Sequence, residues 1–112
     1  MQNIPNKYLN APETKYKRTN PQTEIDKLTA GIVPLARSEL PSGADGFCMT
    51  ATRTGGYAND MDSRRQHFVK YHEVSHALGT HSEYTADCEA AARSGQYQFI
   101  RTPIESSSEI NI

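Results

Sequence analysis

The residues with the clearest capacity for chemistry lie in the middle of the chain, where His72, Glu73 and His76 form an H-E-x-x-H pattern. An α-helix repeats about every 3.6 residues, so His72 and His76 would project from one helix face and bind one metal ion through imidazole nitrogens. Glu73 would point about 100° away from His72, where its carboxylate meets a metal-bound water more readily than the metal. The pattern predicts Zn²⁺ as cofactor, His72 and His76 as ligands and Glu73 as general base.

A third ligand is needed, because a catalytic zinc ion usually takes three protein ligands and keeps one position for water. Gly79 is predicted to end the first helix, and Thr80 with Glu83 forms a T-x-x-E capping box that predicts a second helix within a few residues. Glu83 and Asp87 would share one face of that second helix. The candidates for the third ligand are Glu83, Asp87, His81 and Cys88.

This region resembles the gluzincin-type metallopeptidases, in which a helix with H-E-x-x-H precedes a second helix carrying E-x-x-x-D. The second motif here is Glu83-Tyr84-Thr85-Ala86-Asp87. The segment 58–71 is also similar to the ImmA/IrrE peptidases, which place an Arg-rich helix start and a Phe before the motif. The resemblance covers about residues 55–95 and implies a small, minigluzincin-like peptidase. It implies Glu83 as third zinc ligand and Asp87 as the acceptor that orients a ligand imidazole.

Two observations keep the other candidates open. Only six residues separate His76 from Glu83, and in a symmetric hairpin the residue level with the two histidines is closer to Asp87. A resemblance to the metzincin-like pattern favours His81, because Gly79 lies where that pattern has its turn glycine. The position that matches its third ligand is, however, occupied here by Ser82.

A zinc-dependent metallopeptidase is the predicted function, with Zn²⁺ activating a water and Glu73 moving its proton to the leaving amine. The main alternative is a non-catalytic, zinc-stabilised binding or regulatory protein with a peptidase-like cleft. A closed structural site would leave Glu73 without a role, because protein ligands would fill every position. A helix with two structural histidines and no metal is the simplest alternative.

Composition limits the partners. The chain has 112 residues, 22% of them charged, and a net charge of −1, so no strong electrostatic footprint for nucleic acid or an anionic membrane is expected. The predicted partner is a peptide or protein substrate. No apolar run approaches the roughly 20 residues that span a bilayer, and no signal pattern is seen, so we expect a cytoplasmic protein. Cys48 and Cys88 are then expected to be thiols.

The chain is predicted to be one compact α+β domain, with the H-E-x-x-H helix, a short following helix and a small β-sheet. Residues 1–20 are predicted to be a polar, flexible arm, residues 21–103 the metallopeptidase-like domain, and residues 104–112 a flexible tail. By the resemblance, either the arm or the tail can fold into the cleft and hold the protein latent.

Within the domain, apolar spacing predicts a helix over 22–40 with a break near Gly31, and strands over 46–52 and 96–100. A turn is predicted at Pro41-Ser42-Gly43, and the strand over 46–52 is expected to end before Gly55 and Gly56. By the resemblance, residues 47–52 are the candidate strand for substrate pairing. Asp62 or Ser63 is expected to cap the motif helix. Its predicted buried face consists of Phe68, Val69, Val74, Ala77 and Leu78, and Tyr71 or Tyr84 is the candidate oxyanion donor.

Overall fold

The computed structural model describes residues 21–101, and these residues form a single α+β domain with three α-helices and a three-stranded sheet. The α-helices are α1 (Pro21–Ala30), α2 (Ser63–Ala77) and α3 (Glu83–Ser94), the strands are β1 (Ile32–Leu35), β2 (Gly46–Met49) and β3 (Thr54–Ala58), and two 3₁₀ turns cover Arg37–Glu39 and Tyr97–Phe99. The α+β class predicted from the sequence is confirmed.

The sheet has the order β1-β3-β2, with β3 parallel to β1 and antiparallel to β2. Both β1 and β2 are therefore edge strands. The centre of the sheet is unusually close-packed, because a Cβ atom at Gly55 would overlap the Phe47 carbonyl and one at Gly56 would overlap the Leu35 side chain. Only glycine fits at these two positions of β3.

The first part of the domain departs from the predicted helix over 22–40. The helix does break near Gly31, but the prediction for the second half was wrong: residues 32–35 form β1, and a 3₁₀ turn follows. Pro34 cannot donate a helical N–H bond, and the β-branched Ile32 and Val33 favour an extended backbone. Pairing with β3 then holds the segment as a strand.

The sheet itself also differs from expectation. The predicted strand over 46–52 ends at Met49, and a turn follows in which Arg53 has a positive φ of 58°. Gly55 and Gly56, which were expected only to follow that strand, lie in the central strand β3. Two consecutive glycines usually indicate a turn, but here they allow three backbones to lie close together.

Helix α2 carries the H-E-x-x-H residues, and its ends follow the predicted signals. Asp62 is the N-cap, with its Oδ1 accepting a 2.8 Å hydrogen bond from the Arg64 backbone N–H. Leu78 is the C-cap, and Gly79 follows with φ of 108°, a conformation that favours glycine. The predicted buried face holds except at Leu78, which is 36% exposed beyond the last turn.

Helix α3 begins later than the predicted capping box. Ser82 is the N-cap and its Oγ accepts from the Thr85 backbone N–H at 3.2 Å, so the box between Thr80 and Glu83 is not formed. The Thr80 hydroxyl instead donates to Glu89, and the Thr80 N–H donates to the Ser75 carbonyl. Glu83 is thereby left free to face α2.

One apolar core lies between the helices and the sheet. It consists of residues from all three helices, β1 and β3, namely Leu28, Ile32, Tyr57, Phe68, Val69, Val74, Ala77, Ala90 and Ala91. The strand predicted over 96–100 was wrong. This segment contains a 3₁₀ turn at Tyr97–Phe99. The consecutive residues Phe99 and Ile100 reach the core while Tyr97 stays exposed, so burial does not follow the alternation in the sequence.

The remaining sequence predictions concern the two ends of the chain, the cysteines and membrane spans. The arm over 1–20 and the tail over 104–112 lie outside the described residues. Cys48 and Cys88 are both free thiols and half-buried, as predicted. Among residues 21–101, none of the helices combines the length and the apolar character needed to cross a membrane.

Gly55→Ala should destabilise the fold by about 1–3 kcal/mol, because the new methyl group would force β2 and β3 apart. Urea unfolding followed by circular dichroism measures this change. Gly31→Ala is the matched control, since a Cβ there meets its nearest neighbour at 3.4 Å, an ordinary contact. Equal stability of the two variants would contradict the close packing described for β3.

Candidate metal centre

The H-E-x-x-H histidines meet Glu83 where α2 faces the start of α3. Glu83 Oε1 lies 3.0 Å from His72 Nε2, and Glu83 Oε2 lies 3.2 Å from His76 Nε2. The two Nε2 atoms are 3.1 Å apart. One ligand atom from each of the three side chains falls within 4.8 Å of the others, a grouping that can hold a metal ion.

The other ring nitrogen of each histidine faces an acceptor. His72 Nδ1 lies 2.7 Å from Asp87 Oδ1, and His76 Nδ1 lies 2.7 Å from the Thr80 carbonyl oxygen. A carboxylate and a carbonyl only accept hydrogen bonds, so in the neutral rings both Nδ1 atoms carry the proton. Both Nε2 atoms then present lone pairs toward each other and toward the Glu83 carboxylate, an arrangement that requires a proton or a cation between them.

The spacing of these lone pairs suits a small tetrahedral cation. Zinc bonds of about 2.0–2.2 Å to nitrogen and oxygen place tetrahedral ligand atoms about 3.3–3.6 Å apart. The two Nε2 atoms are 3.1 Å apart, and each lies 3.0 or 3.2 Å from a different oxygen of Glu83, distances within a few tenths of an ångström of that range. Two imidazoles and one carboxylate are also among the donor sets typical of catalytic zinc.

In the metal-free chain a proton takes the place of that cation. Burial by itself would lower the pKa of His72, but hydrogen bonds to Asp87 and Glu83 outweigh it and raise the pKa to about 9. The same His72 contact, together with nearby positive charge, lowers the pKa of Glu83 to about 2 in spite of partial burial. The centre is therefore an imidazolium–carboxylate pair near neutral pH when no metal competes.

Asp87 is the most deeply buried acid of the site, with 1% of its residue surface exposed. Its burial would raise its pKa, but bonds from His72 and Arg101 outweigh that effect and lower it. Arg101 donates twice to Asp87 Oδ2, from its backbone N–H at 3.0 Å and from Nε at 3.1 Å. Arg101 Nη2 also lies 3.5 Å from Glu83 Oε1, so one arginine contacts both acids.

Glu73 lies beside this cluster on α2, buried to 7% exposure and on the wall of a cavity of about 320 Å³. Burial is the main cause that raises its pKa, against the opposing charges of His72 and His76. A Cβ at Gly46 of β2 would lie 3.1 Å from Glu73 Oε2, so glycine there lets the carboxylate approach the edge strand closely. A carboxylate with a raised pKa is suited to accept and return a proton near neutral pH.

The cavity wall also includes the polar side chains of Arg65 and Asp45. Arg65 Nη2 pairs with Asp45 at 3.0 Å and its guanidinium lies over the Phe68 and Phe99 rings, at 5.6 and 5.1 Å from their centroids. Asp45 accepts a second ion pair from Arg37. These contacts fix the loop before β2. Gly43, Ala44 and Asp45 of this loop line the cavity.

The remaining candidate ligands occupy other positions. Asp87 contacts Nδ1 of His72 rather than Nε2, so it lies behind the ring and not at the cluster. His81 is exposed, and Cys88 is half-buried on α3, outside the cluster. Among residues 21–101, the grouping suited to a metal contains His72, His76 and Glu83 but none of these three alternatives.

Neither tyrosine proposed as an oxyanion donor lies on the cavity wall. Tyr71 packs against the core and meets the exposed His67 ring edge-on at 5.3 Å between centroids. Tyr84 is exposed on α3. Arg101 is the cationic donor that the structure places near Glu83, and no sequence motif marks it, because it is 14 residues from Asp87 in the chain.

The sequence and the fold were also compared with known proteins. No family model matches the chain, and no curated protein or solved structure matches it significantly.

The metal-free chain should lose stability as pH rises from about 6.5 to about 9. The pKa of His72 is raised in the folded state, so its stabilisation is complete below 6.5 and is lost as pH passes through about 9. The lowered pKa of Glu83 has the opposite effect, with loss as pH falls from 4.5 through about 2. Thermal unfolding of chelator-treated protein from about pH 2 to about pH 9 tests both the acid and the alkaline loss of stability.

His72→Gln is the control for the alkaline arm, because it removes the titrating imidazole. Its unfolding midpoint should change less between neutral and alkaline pH than that of the wild type. Parallel profiles for the two proteins would contradict the proposed imidazolium.

Proposed function

We propose that this chain is a zinc-dependent metallopeptidase of the gluzincin type. The observation that carries the proposal is the convergence of three lone-pair groups, from His72, His76 and Glu83, with both imidazole Nδ1 atoms tied to acceptors. Such an arrangement is costly unless a cation or a proton lies between the groups, since acceptors would otherwise face one another unpaired. A structural pair of histidines has no need of it.

In this proposal His72, His76 and Glu83 hold Zn²⁺, and Asp87 orients His72. When bound, the ion would supply a Lewis acid that acidifies a water and polarises a peptide carbonyl. Among the described residues the cluster offers three ligands and not four. Three ligands leave a position for water, which supports a catalytic centre over a closed structural one.

Glu73 is the proton carrier of the proposed reaction. Its carboxylate accepts the proton of the attacking water and then delivers it to the nitrogen of the leaving amine. Two observations support this role: Glu73 lines the cavity next to His72, and burial raises its pKa toward the working range of a general base.

The proposed substrate is an extended peptide that pairs with the outer edge of β2. This strand is an edge of the sheet and approaches Glu73 at Gly46. The opposite edge strand, β1, contains Pro34, which lacks a backbone N–H and is typical of a blocked edge. Of the segment 47–52 expected to bind substrate, residues 47–49 lie in β2 and 50–52 lie in the following turn.

We expect one zinc ion per chain by elemental analysis, with binding lost in His72→Gln and His76→Gln and strongly weakened in Glu83→Gln. Asp87→Asn should weaken binding less, by about 10–100-fold, since it changes the partner of a ligand and not a ligand. His81→Gln is the matched control, because His81 lies in the same linker but is exposed and outside the cluster. Absence of zinc from the wild type would refute the proposal.

Glu73→Gln should keep the zinc ion and the fold but lose about 10²–10⁴-fold in peptide cleavage, the usual contribution of a general base. Digestion of casein or a peptide library, together with elemental analysis of the same samples, measures both quantities. Retained cleavage in Glu73→Gln would contradict the base assignment. Zinc binding without cleavage in the wild type would instead support a non-catalytic, zinc-stabilised binding protein.

A further inference from the structure

The orientation of His76 depends on a backbone carbonyl in the linker between α2 and α3. His76 Nδ1 lies 2.7 Å from the Thr80 oxygen, whereas His72 Nδ1 meets the buried carboxylate of Asp87. A carboxylate is held by its own side chain and helix, but a linker carbonyl keeps its direction only if the linker is itself fixed. The direction of the His76 lone pair therefore depends on what holds Thr80.

Thr80 is held from both sides. Its backbone N–H donates to the Ser75 carbonyl at 3.0 Å, which ties it to the end of α2. Its hydroxyl donates to Glu89 Oε1 at 2.9 Å, which ties it to α3, nine residues along the chain. These two bonds fix the peptide unit whose carbonyl faces His76.

Glu89 is itself fixed by a further contact. Arg93, one turn later on α3, lies 3.9 Å from Glu89 Oε1 and donates to the Ser75 hydroxyl at 3.2 Å. Ser75 is fully buried and precedes His76 on α2. The contacts thus form a ring that leaves α2 at His76, passes through Thr80, Glu89 and Arg93, and returns to α2 at Ser75.

We propose that Glu89 is a positioning residue for His76, acting through Thr80, and that Arg93 fixes Glu89 for this purpose. Glu89 does not contact the cluster of His72, His76 and Glu83; it determines where the Thr80 carbonyl points and so which nitrogen of His76 carries the proton. The consequence for zinc affinity rests on the proposed function. The consequence for the His76 tautomer does not, because it is set in the metal-free chain.

The test compares Glu89→Leu, Glu89→Gln and Thr80→Val. Nitrogen NMR of the chelator-treated protein at alkaline pH reports the tautomer of His76. Zinc titration against a competing chelator reports affinity. We expect Glu89→Leu and Thr80→Val to reduce the Nδ1–H tautomer of His76 and to weaken zinc binding about 10–100-fold. Glu89→Gln should restore most of both, since its amide oxygen still accepts from Thr80.

Glu24→Leu is the matched control. Glu24 also pairs with an arginine on the surface, Arg53 at 3.3 Å, and its side chain is 36% exposed, against 35% for Glu89. It should leave the tautomer and zinc affinity unchanged. If Glu89→Leu lowers the unfolding midpoint but leaves the His76 tautomer unchanged, Glu89 only stabilises the helix pair and the proposal is wrong. A changed tautomer in a chain that binds no zinc would support the positioning role and refute the metal centre.

Discussion

The site depends on three hydrogen-bond acceptors that face one another. The lone pairs of two imidazoles and the Glu83 carboxylate lie about 3 Å apart where α2 meets α3. Water cannot separate groups this close, and burial reduces the screening of their charge. A cation or a shared proton must therefore hold them together. The surrounding contacts are consistent with this demand, since Asp87, the Thr80 carbonyl and Arg101 each orient or balance one of the three groups.

The sheet contributes to the site because three of its positions have no side chain. Three glycines at the sheet, Gly46, Gly55 and Gly56, remove side chains where backbones or the Glu73 carboxylate come close. The edge strand β2 can thus approach α2 at the point where Glu73 lies. A larger residue at Gly46 would contact both Val69 and Glu73. The absence of a side chain at Gly46 therefore affects both the packing of the core and the position of the Glu73 carboxylate.

The sequence predicts the local part of this arrangement well. The limits of α2, the Asp62 cap and the shared helix face of His72 and His76 are properties of neighbouring residues, and short-range rules describe them. The start of α3 was predicted from a capping box that the structure does not form. The Thr80 hydroxyl instead meets Glu89, a partner that no local rule identifies.

Features that depend on distant residues could not be predicted in the same way. Gly55 and Gly56 were expected only to follow a strand, because nothing in their neighbourhood shows that two other strands approach them. The contact between Arg101 and Asp87 requires the chain to pass the end of α3 and return. Such contacts result from the packing of whole elements, whereas the metal-binding pattern lies within one helix and the residues that follow it.

The short connection between α2 and α3 has a consequence for how the centre forms. All three grouped side chains lie within residues 72–83, so bringing them together closes only a small loop and costs little chain entropy. The contact is of low sequence separation, a kind that forms early and quickly in folding. By contrast, the cavity wall also needs Gly43 and Asp45, from the loop before β2. The three grouped side chains are therefore local in the sequence, whereas the cavity beside them depends on contacts between distant segments of the chain.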